Sequence, residues 1–539
     1  MCTIINKLHY AILTVLLTVF AVLLLYNSWL GDDAYITFRT VDNFLNGYGL
    51  RWNPAERVQV YTHPLWLFIL IAVEFFVRNI FYTAHGVSFV ISLSALAIFS
   101  FCCVPSYCAA LIGLTALMMS NAFAEYCSSG LENPMSYLLS VLFFCIYFKD
   151  DKSGKSIFYL SLLASLAIVN RMDMLLLFAP AVVFCLFRDF SSKKLFFCFL
   201  GFIPFILWEG FALVYYGFPF PNTAYAKLGA GIPAGELFIK ARQYYNHSFH
   251  KDPITLILIG CALSGSITFY QRKLVPLAIG IALYMLYIVK IGGCFMSGRF
   301  FSVPFFWAVV LLIHTVDKYL RKSLIFVLCV LCIVVLGFCS PTNTLFKGRS
   351  YGLSDHYKNL SMDEHGIEDE QLCYYQSTGL MVLKSDIAPP YPLIFSHRDL
   401  KQMGLALKAQ APTVAVRYAV GIVGYYAGPQ VYIVDIYALV DPLLARLPML
   451  EAEEWRIGHV IRVVPGGYLE SLESGKNLIR DHVLWKYYNE LALVTRGAIF
   501  DMQRLKTIVK LNCGKSEKFQ KYLRKFKNPP NLEHEKIVD

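Results

Sequence analysis

The chain has 539 residues, of which 57% are hydrophobic and 16% are charged, and its mean hydropathy is +0.52. This balance excludes a water-soluble protein, which could not keep so much apolar surface away from water. The formal net charge of +11 suits a nucleic-acid partner, but the basic residues cluster between apolar segments, where the positive-inside rule explains them. The composition therefore predicts a polytopic α-helical membrane protein without a nucleic-acid partner.

The first apolar segment, residues 5–30, is longer than the roughly 20 residues that span a bilayer, and no small-residue cleavage site follows it. We interpret it as a retained signal anchor. With it, about eleven segments are long and apolar enough to be transmembrane helices. The other ten lie near residues 86–102, 106–122, 134–149, 156–170, 174–188, 194–214, 253–270, 274–290, 302–316 and 323–340.

The basic loops set the orientation of these helices. They follow Phe148, Phe187, Tyr270 and Val316, and they alternate with loops that are poor in lysine and arginine. Because basic loops stay in the cytoplasm, we expect the N-terminus there and the other loops outside, in a bacterial inner membrane.

The first outer loop, residues 31–80, is predicted to contain two interfacial helices. Apolar residues recur at helical spacing until Gly47, with Asp32 and Asp33 at the start of this helix. Residues 64–79 would rise only about 24 Å as a helix, less than the roughly 30 Å hydrocarbon core. We therefore interpret them as a juxtamembrane helix rather than as a span.

The polar C-terminal third differs from the rest of the chain. Residues 1–340 form the predicted membrane module, whereas residues 341–539 alternate short apolar stretches with helical patterns, which predicts a periplasmic α/β domain. Most of the fifteen cysteines fall inside apolar runs and are interpreted as small hydrophobic residues. Cys373 and Cys513 lie in the polar third, where the sequence leaves a disulfide between them open.

The adjacent aspartates Asp32 and Asp33 are the first candidates for chemistry. Two carboxylates at a helix N-terminus can act as a general base or hold a divalent cation. The structural alternative is a helix cap with a solvated neighbour.

Six ordered motifs, which together extend over nearly the whole chain, carry a family resemblance. They are "DDAYITFR", "NGYGLRWNPAERVQVYTHPLW", "SSGLENP", "YYGFPFPNTAYAKL", "GGCFMSGRF" and "VDIYALVDPLLARLP". Together they resemble bacterial membrane glycosyltransferases related to the mycobacterial terminal β-(1→2) arabinofuranosyltransferase. The resemblance implies a GT-C fold with an acidic first outer loop, a periplasmic C-terminal domain and a polyprenyl-phosphate sugar donor. It also implies that Asp33 is the base and that Asp32 orients it or binds a metal.

A lipid-linked donor needs cations at the depth of its phosphate, at the membrane surface. The predicted topology places several basic residues there, each of which has an alternative role as an interfacial anchor or a helix cap. The phosphate-binding candidates are Lys227, Arg299, Arg171 and His63.

Other polar residues at outer helix ends are candidates for contacts with the sugar or the acceptor. They are Glu132, Asn133, Asn222, Tyr225 and Asp173. The alternative is a helix start for Glu132 and Asn133, a structural turn for Asn222 and Tyr225, and an interfacial anchor for Asp173. A divalent cation, Mg²⁺ or Mn²⁺, would be held by Asp32, Asp33 and Glu132 if one is used.

Cys294 departs from the family pattern, since relatives commonly have an acidic residue in the "GGCFMSGRF" motif. This substitution leaves the donor sugar open between arabinofuranose and another pentose or a hexose.

In the C-terminal domain, charged residues of the "VDIYALVDPLLARLP" motif are expected to cap the fold or to bind the acceptor, and aromatic residues are expected in the core or in a carbohydrate platform. The charged residues are Asp435, Asp441 and Arg446. The aromatic residues are Tyr425, Tyr426, Trp455 and Tyr468.

The leading hypothesis is a glycosyltransferase that moves a sugar, D-arabinofuranose first, from a polyprenyl phosphate to an envelope glycan or glycoprotein. A transporter or flippase would place charges inside several spans, but here only Glu209 stands out. A non-catalytic envelope assembly factor is the third hypothesis, which Cys294 allows.

Overall fold

The computed structural model describes residues 2–149, 154–320, 322–347, 351–353, 357, 360–382, 397–450 and 455–513. Within these ranges the chain is mainly helical, with one two-stranded sheet.

Helices account for most of the described chain before residue 341. They are α1 Cys2–Tyr26, α2 Asp32–Leu45, α3 Pro64–Val77, α4 Ile80–Ile98, α5 Tyr107–Met119, α6 Asn121–Ala124, α7 Asn133–Tyr147, α8 Gly154–Asn170, α9 Met174–Arg188, α10 Ser192–Gly201, α11 Ile203–Tyr215, α12 Asn222–Leu228, α13 Ala234–Lys251, α14 Pro253–Thr268, α15 Val275–Lys290, α16 Ser302–Leu320 and α17 Ser323–Phe338.

Among the described residues, three helices are long and apolar enough to cross a membrane: Leu8–Tyr26, Ile80–Cys103 and Arg299–Leu320. Two bent pairs bring this number to five if each pair is one span, and seven further apolar helices have 10–17 residues. These helices are typical of a membrane protein. The count of about eleven spans stays a prediction.

The bends of both pairs fall inside segments that were predicted as single spans, residues 106–122 and 194–214. α5 and the helix after it meet at 82°, and α10 and α11 meet at 49°. Ser120 lies at the first bend, where its side chain accepts a hydrogen bond from the N–H of Phe123 and so starts a new helix. Pro204 lies in the first turn of α11, where a residue without an N–H is tolerated.

Helices are present at both positions where the sequence predicts them in residues 31–80, and their interfacial location outside the membrane stays a prediction. α2 begins at Asp32, and Gly47 follows its end with a positive φ of +84°. α3 begins at Pro64 and has 14 residues. The sequence predicted an amphipathic α2, but its residues from Ala34 to Val41 are all buried.

The C-terminal segment, defined as residues 341–539, contains the sheet and shorter helices. They are α18 Glu370–Thr378, α19 His397–Ala409, α20 Gly421–Ala427, α21 Tyr468–Ser474, α22 His482–Arg496 and α23 Met502–Asn512, with strands β1 Thr413–Arg417 and β2 Val431–Asp435. The strands are parallel, with Thr413 opposite Val431, and α20 connects them. The α/β domain stays a prediction, because the sheet in the described part has two strands.

Arg39 of α2 ties the helical part to the C-terminal segment. Its guanidinium is buried and donates to the carbonyls of Trp52, Gly424 and Val431 at 2.9, 2.8 and 2.8 Å. α20 can approach α2 because Gly421 has no side chain, since a Cβ there would lie 2.0 Å from the carbonyl oxygen of Asp32. These contacts fix the helix that carries Asp32 and Asp33.

Cys373 and Cys513 are both free thiols. Cys373 is buried in α18, and Cys513 is exposed after α23.

Candidate functional site

Asp32 and Asp33 are the first two residues of α2, but their side chains have different partners. Asp32 Oδ1 accepts a hydrogen bond from the N–H of Ile422 at 2.7 Å, and Oδ2 accepts one from Gly421 at 3.1 Å. Burial raises the pKa of Asp32 to about 6, and repulsion from Asp33 acts in the same direction against these two hydrogen bonds. Asp32 therefore caps the start of α20 and anchors the C-terminal segment on α2.

Asp33 is the more open carboxylate of the pair. Its side chain is 25% exposed, and its Oδ2 lies 3.5 Å from Nη1 of Arg299. No side chain caps the N-terminus of α2, so the Asp33 carboxyl group lies at the uncapped positive end of the helix dipole. Asp33 is thus an accessible hydrogen-bond acceptor next to a guanidinium.

Glu132 lies at the centre of the site and is fully buried. Its carboxylate contacts Arg171 Nη1 at 2.7 Å, Arg299 Nη2 at 3.2 Å and His63 Nδ1 at 3.2 Å. Burial alone would raise the pKa of Glu132, but the charges of Arg299, His63 and Arg171 outweigh it and hold the pKa well below its usual value. Glu132 is therefore a buried counter-ion that holds the basic residues in place.

Arg171 extends this chain of charges. It forms an ion pair with Asp173 through Nε at 2.9 Å and through Nη2, and Tyr284 donates to Asp173 Oδ2 at 3.0 Å. The guanidinium also stacks on Phe300, 5.0 Å from the ring centre.

These side chains form one ionic network, called here the Glu132 network. Its members are Asp33, Arg299, Glu132, Arg171, Asp173 and His63. Acidic and basic groups alternate along it from the buried Glu132 outward to Asp33. The sequence predicted each of these residues separately, and the structure brings them together.

Lys227 lies near the same place, in the last turn of α12, where it is exposed. Its charge acts on the buried thiol of Cys294, as do the charges of Arg299 and Asp33. Burial raises the pKa of Cys294, so this thiol is neutral. Three predicted residues, Lys227, Arg299 and Asp33, thus lie around the position where the family pattern changes.

Asn133 lies beside the Glu132 network. Asn222 and Tyr225 lie apart from it, where their contacts with the C-terminal segment stabilise the fold. Asn133 donates to Ser302 Oγ at 2.7 Å. Asn222 donates to the carbonyls of Ala438, Leu439 and Asp441 at 3.0–3.1 Å. The oxygen of the Asn222 side chain accepts from Arg446, whose guanidinium stacks on Tyr225 at 4.5 Å. Sugar contacts by these residues stay a prediction.

The charged residues of the "VDIYALVDPLLARLP" motif cap turns. Asp435 accepts from the N–H groups of Tyr437 and Leu439 at 2.9 and 2.7 Å. Asp441 accepts from the N–H groups of Leu443 and Leu444 at 2.9 and 2.8 Å and from the Tyr468 hydroxyl at 2.9 Å. Burial raises the pKa of both carboxyls to about 7.

The aromatic residues of the C-terminal segment mostly pack inside the fold. Tyr425 and Tyr426 contact Tyr35 of α2, with ring centres 5.7 and 6.4 Å away. Tyr468 is fully buried. Trp455 lies 5.2 Å from the ammonium of Lys240. A carbohydrate platform made of these residues stays a prediction.

The predicted cation ligands do not form a metal site. Asp32 is hydrogen-bonded to two backbone amides, and Glu132 is paired with three basic side chains. In the part of the chain that the structure describes, no group of three or more His, Cys, Asp and Glu side chains is arranged to hold a metal ion. The residues present therefore do not fit a divalent cation.

Four residues near the site, all in the C-terminal segment, were not predicted from the sequence. They are Glu368, Glu370, Arg456 and His459. Arg456 pairs with Glu368 at 3.3 Å and contacts His459 Nε2 at 2.8 Å. The acidic run "IEDE" before a helical pattern was a usable signal, but it did not reveal which element this run would pack against.

No protein-family model matches the chain. A curated protein is similar to the chain over most of its length. The chain is similar to the terminal β-(1→2)-arabinofuranosyltransferase of Mycobacterium tuberculosis, with 24% identity over 524 residues. The similarity covers 81% of this chain and 81% of the relative. It therefore includes most of the helical part and cannot be a match to one motif alone.

Proposed function

We propose that the protein is a membrane glycosyltransferase that transfers a sugar from a polyprenyl-phosphate donor to an acceptor hydroxyl. The observation that carries the proposal is Asp33, a partly exposed carboxylate 3.5 Å from Arg299, at the outer end of a buried ionic network. A base and a phosphate-binding cation side by side are the groups that this transfer needs. The distant similarity to a named arabinofuranosyltransferase supports the same reaction class.

Asp33 is the general base of the proposed reaction. Its carboxylate takes the proton of the acceptor hydroxyl as that oxygen forms a bond to the anomeric carbon of the sugar. The bond between the anomeric carbon and the phosphate oxygen breaks, and its electron pair leaves with the polyprenyl phosphate. The products are the glycosylated acceptor, the lipid phosphate and the proton on Asp33.

Arg299 and Lys227 are the proposed partners of the donor phosphate. Arg299 has a buried Nε–H without a hydrogen-bond partner among the described residues. Lys227 is exposed, and its charge acts on the Cys294 thiol as the charge of Arg299 does. Arg171 and His63 were also predicted to bind phosphate, but both pair with Glu132 and hold the Glu132 network in place. Two cations next to the leaving oxygen would stabilise the charge that develops there.

D-arabinofuranose is the proposed donor sugar, because the relative's name specifies an arabinofuranosyltransferase. The proposed acceptor is a cell-envelope glycan or glycoprotein. Cys294 makes another pentose or a hexose the second candidate, since a neutral thiol there cannot accept a sugar hydroxyl as a carboxylate would.

The proposed arrangement is a GT-C module of about eleven spans in the bacterial inner membrane. Residues 1–340 form the module, residues 31–80 its first periplasmic loop, and residues 341–539 a periplasmic domain. The N-terminus is cytoplasmic. This orientation places Asp33 where a membrane-bound donor and a water-borne acceptor can meet.

The test is transfer by the purified protein in nanodiscs, from synthetic polyprenyl-phosphoryl-arabinofuranose and a hexose analogue to a panel of glycan acceptors. We expect turnover by the wild type and a loss of about 10²- to 10⁴-fold in Asp33→Asn, which cannot accept the proton. Asp42→Asn is the matched control, since Asp42 is an exposed aspartate of the same helix.

Three results distinguish the hypotheses. Turnover that Asp33→Asn retains would move the base to another residue. Absence of turnover with every donor, together with lipid movement across the bilayer, would support a transporter or flippase. Absence of both activities in a folded protein would support the assembly-factor hypothesis.

A further inference from the structure

The segment before α18 lies directly against the "GGCFMSGRF" motif. The N–H of Glu368 donates to the carbonyl of Phe295 at 2.7 Å, and the N–H of Ser297 donates to the carbonyl of Glu368 at 2.9 Å. α18 itself is held on the end of α1, where Gln371 Nε2 donates to the carbonyl of Asn27 at 2.7 Å. Backbone contacts therefore fix the position of Glu370, the first residue of α18.

The carboxyl group of Glu370 is buried and incompletely bonded. The residue is 5% exposed, and its Oε2 has no hydrogen-bond partner among the described residues. Oε2 lies 3.2 Å from the position that a Cβ on Gly31 would take. Since Gly31 immediately precedes Asp32 and Asp33, this free oxygen faces the start of α2.

Burial raises the pKa of Glu370 well above its usual value, and repulsion from Glu368, Asp33 and Asp32 raises it further. Arg456 acts against this shift but pairs with Glu368. The two carboxyl groups that face the site are therefore unequal, since Glu370 keeps its proton while Asp33 is partly exposed beside Arg299. The neutral carboxyl of Glu370 has an O–H to donate, and a buried donor without a partner is costly unless a ligand accepts from it.

We propose that Glu370 contacts the substrate, donating a hydrogen bond from its neutral carboxyl group to a hydroxyl of the sugar near Asp33. This assignment rests on the proposed glycosyltransferase function. Glu370 keeps its proton through the reaction, and the acceptor proton goes to Asp33. The substrate class that the pair recognises is a polyhydroxyl sugar, because one group donates to a hydroxyl while the other accepts from one.

The test compares Glu370→Gln and Glu370→Leu with the wild type in the nanodisc assay. Glutamine keeps a neutral donor of the same size, whereas leucine removes it. We expect kcat/KM of Glu370→Gln to stay within about threefold of the wild type and that of Glu370→Leu to fall about 10- to 100-fold. Thermal melting reports folding, and Glu473→Gln on the exposed part of α21 is the matched control.

The pH profile separates substrate contact from a structural role. As pH rises, ionisation of wild-type Glu370 removes its donor, so transfer should fall on the alkaline side. Glu370→Gln does not titrate, and its profile should stay flat over the same range. Equal activity of Glu370→Leu and the wild type, or equal loss in both variants, would overturn the assignment.

Infrared difference spectra test the contact without turnover. Addition of polyprenyl-phosphoryl-arabinofuranose should shift a protonated-carboxyl band of the wild type, and this donor-induced difference band should be missing in Glu370→Gln. If the wild type makes no product, the proposed function fails, but a shift of this band would still uphold contact with the sugar. A band that the donor does not shift, or that Glu370→Gln retains, would overturn the assignment of Glu370.

Discussion

The acidic residues at the start of α2 can be compared with Asp435, the last residue of β2, and Asp441 in the turns that follow it, since their charges are balanced in different ways. Asp435 and Asp441 are enclosed by backbone N–H groups and the Tyr468 hydroxyl. Asp33 ends a network of side-chain ions and stays 25% exposed. A carboxylate that backbone amides enclose holds a turn, whereas one at the open end of an ionic network remains available to a substrate.

Asp32 shows that two adjacent aspartates can differ, one being enclosed by backbone amides and the other open. Its carboxylate is bound by the N–H groups of Gly421 and Ile422, as in the turns after β2, although Asp33 beside it is open. Side-chain direction at the helix start, rather than the pair of aspartates as such, separates the anchor from the proposed base.

The largest effect should come from breaking the buried end of the network. In Glu132→Gln the charges of Arg171 and Arg299 lose their buried counter-ion and His63 loses a carboxylate partner. Removing one partner of a buried ion pair costs about 3–5 kcal/mol. We expect a large fall in melting temperature and loss of transfer. Glu236→Gln on the exposed part of α13 is the control. Wild-type melting in Glu132→Gln would show that this charge does not organise the site.

A smaller loss of stability should follow from removing a turn cap. Asp441→Ala deletes the acceptor of three hydrogen bonds, and the buried donors left behind cost about 1–3 kcal/mol. We expect a lower melting temperature but unchanged kcat per folded molecule. Loss of kcat at wild-type stability would instead indicate that this motif binds the acceptor.

The smallest effect concerns Asp32 and depends on pH. Its pKa of about 6 lies above the usual 3.8, so the folded state binds this proton more tightly than the unfolded state. The stabilisation is therefore complete below about pH 4 and is lost as the pH rises through 6. Melting curves from pH 4 to 7 should show that the difference in melting temperature between the wild type and Asp32→Asn decreases as the pH rises. A difference that stays constant or increases with pH would contradict the raised pKa of Asp32.

Local patterns were sufficient to predict the starts of α2 and α3, because an acidic first turn and Pro64 are local signals. They also singled out the members of the Glu132 network as candidates, since each lies at a helix end that the predicted topology places on one side. Long-range packing was not predictable. No local signal indicates that Asp32 turns to α20 or that Glu370 faces Gly31, because both depend on where the C-terminal segment docks.

The central claim is that open and enclosed carboxylates have different tasks, and one side-by-side measurement tests it. Asp33→Ala and Asp441→Ala are compared with the wild type for kcat/KM of transfer in nanodiscs and for melting temperature. The account predicts that Asp33→Ala loses transfer and keeps its melting temperature, whereas Asp441→Ala melts earlier and transfers normally while folded. The same pattern in both variants, or the reverse one, would contradict it.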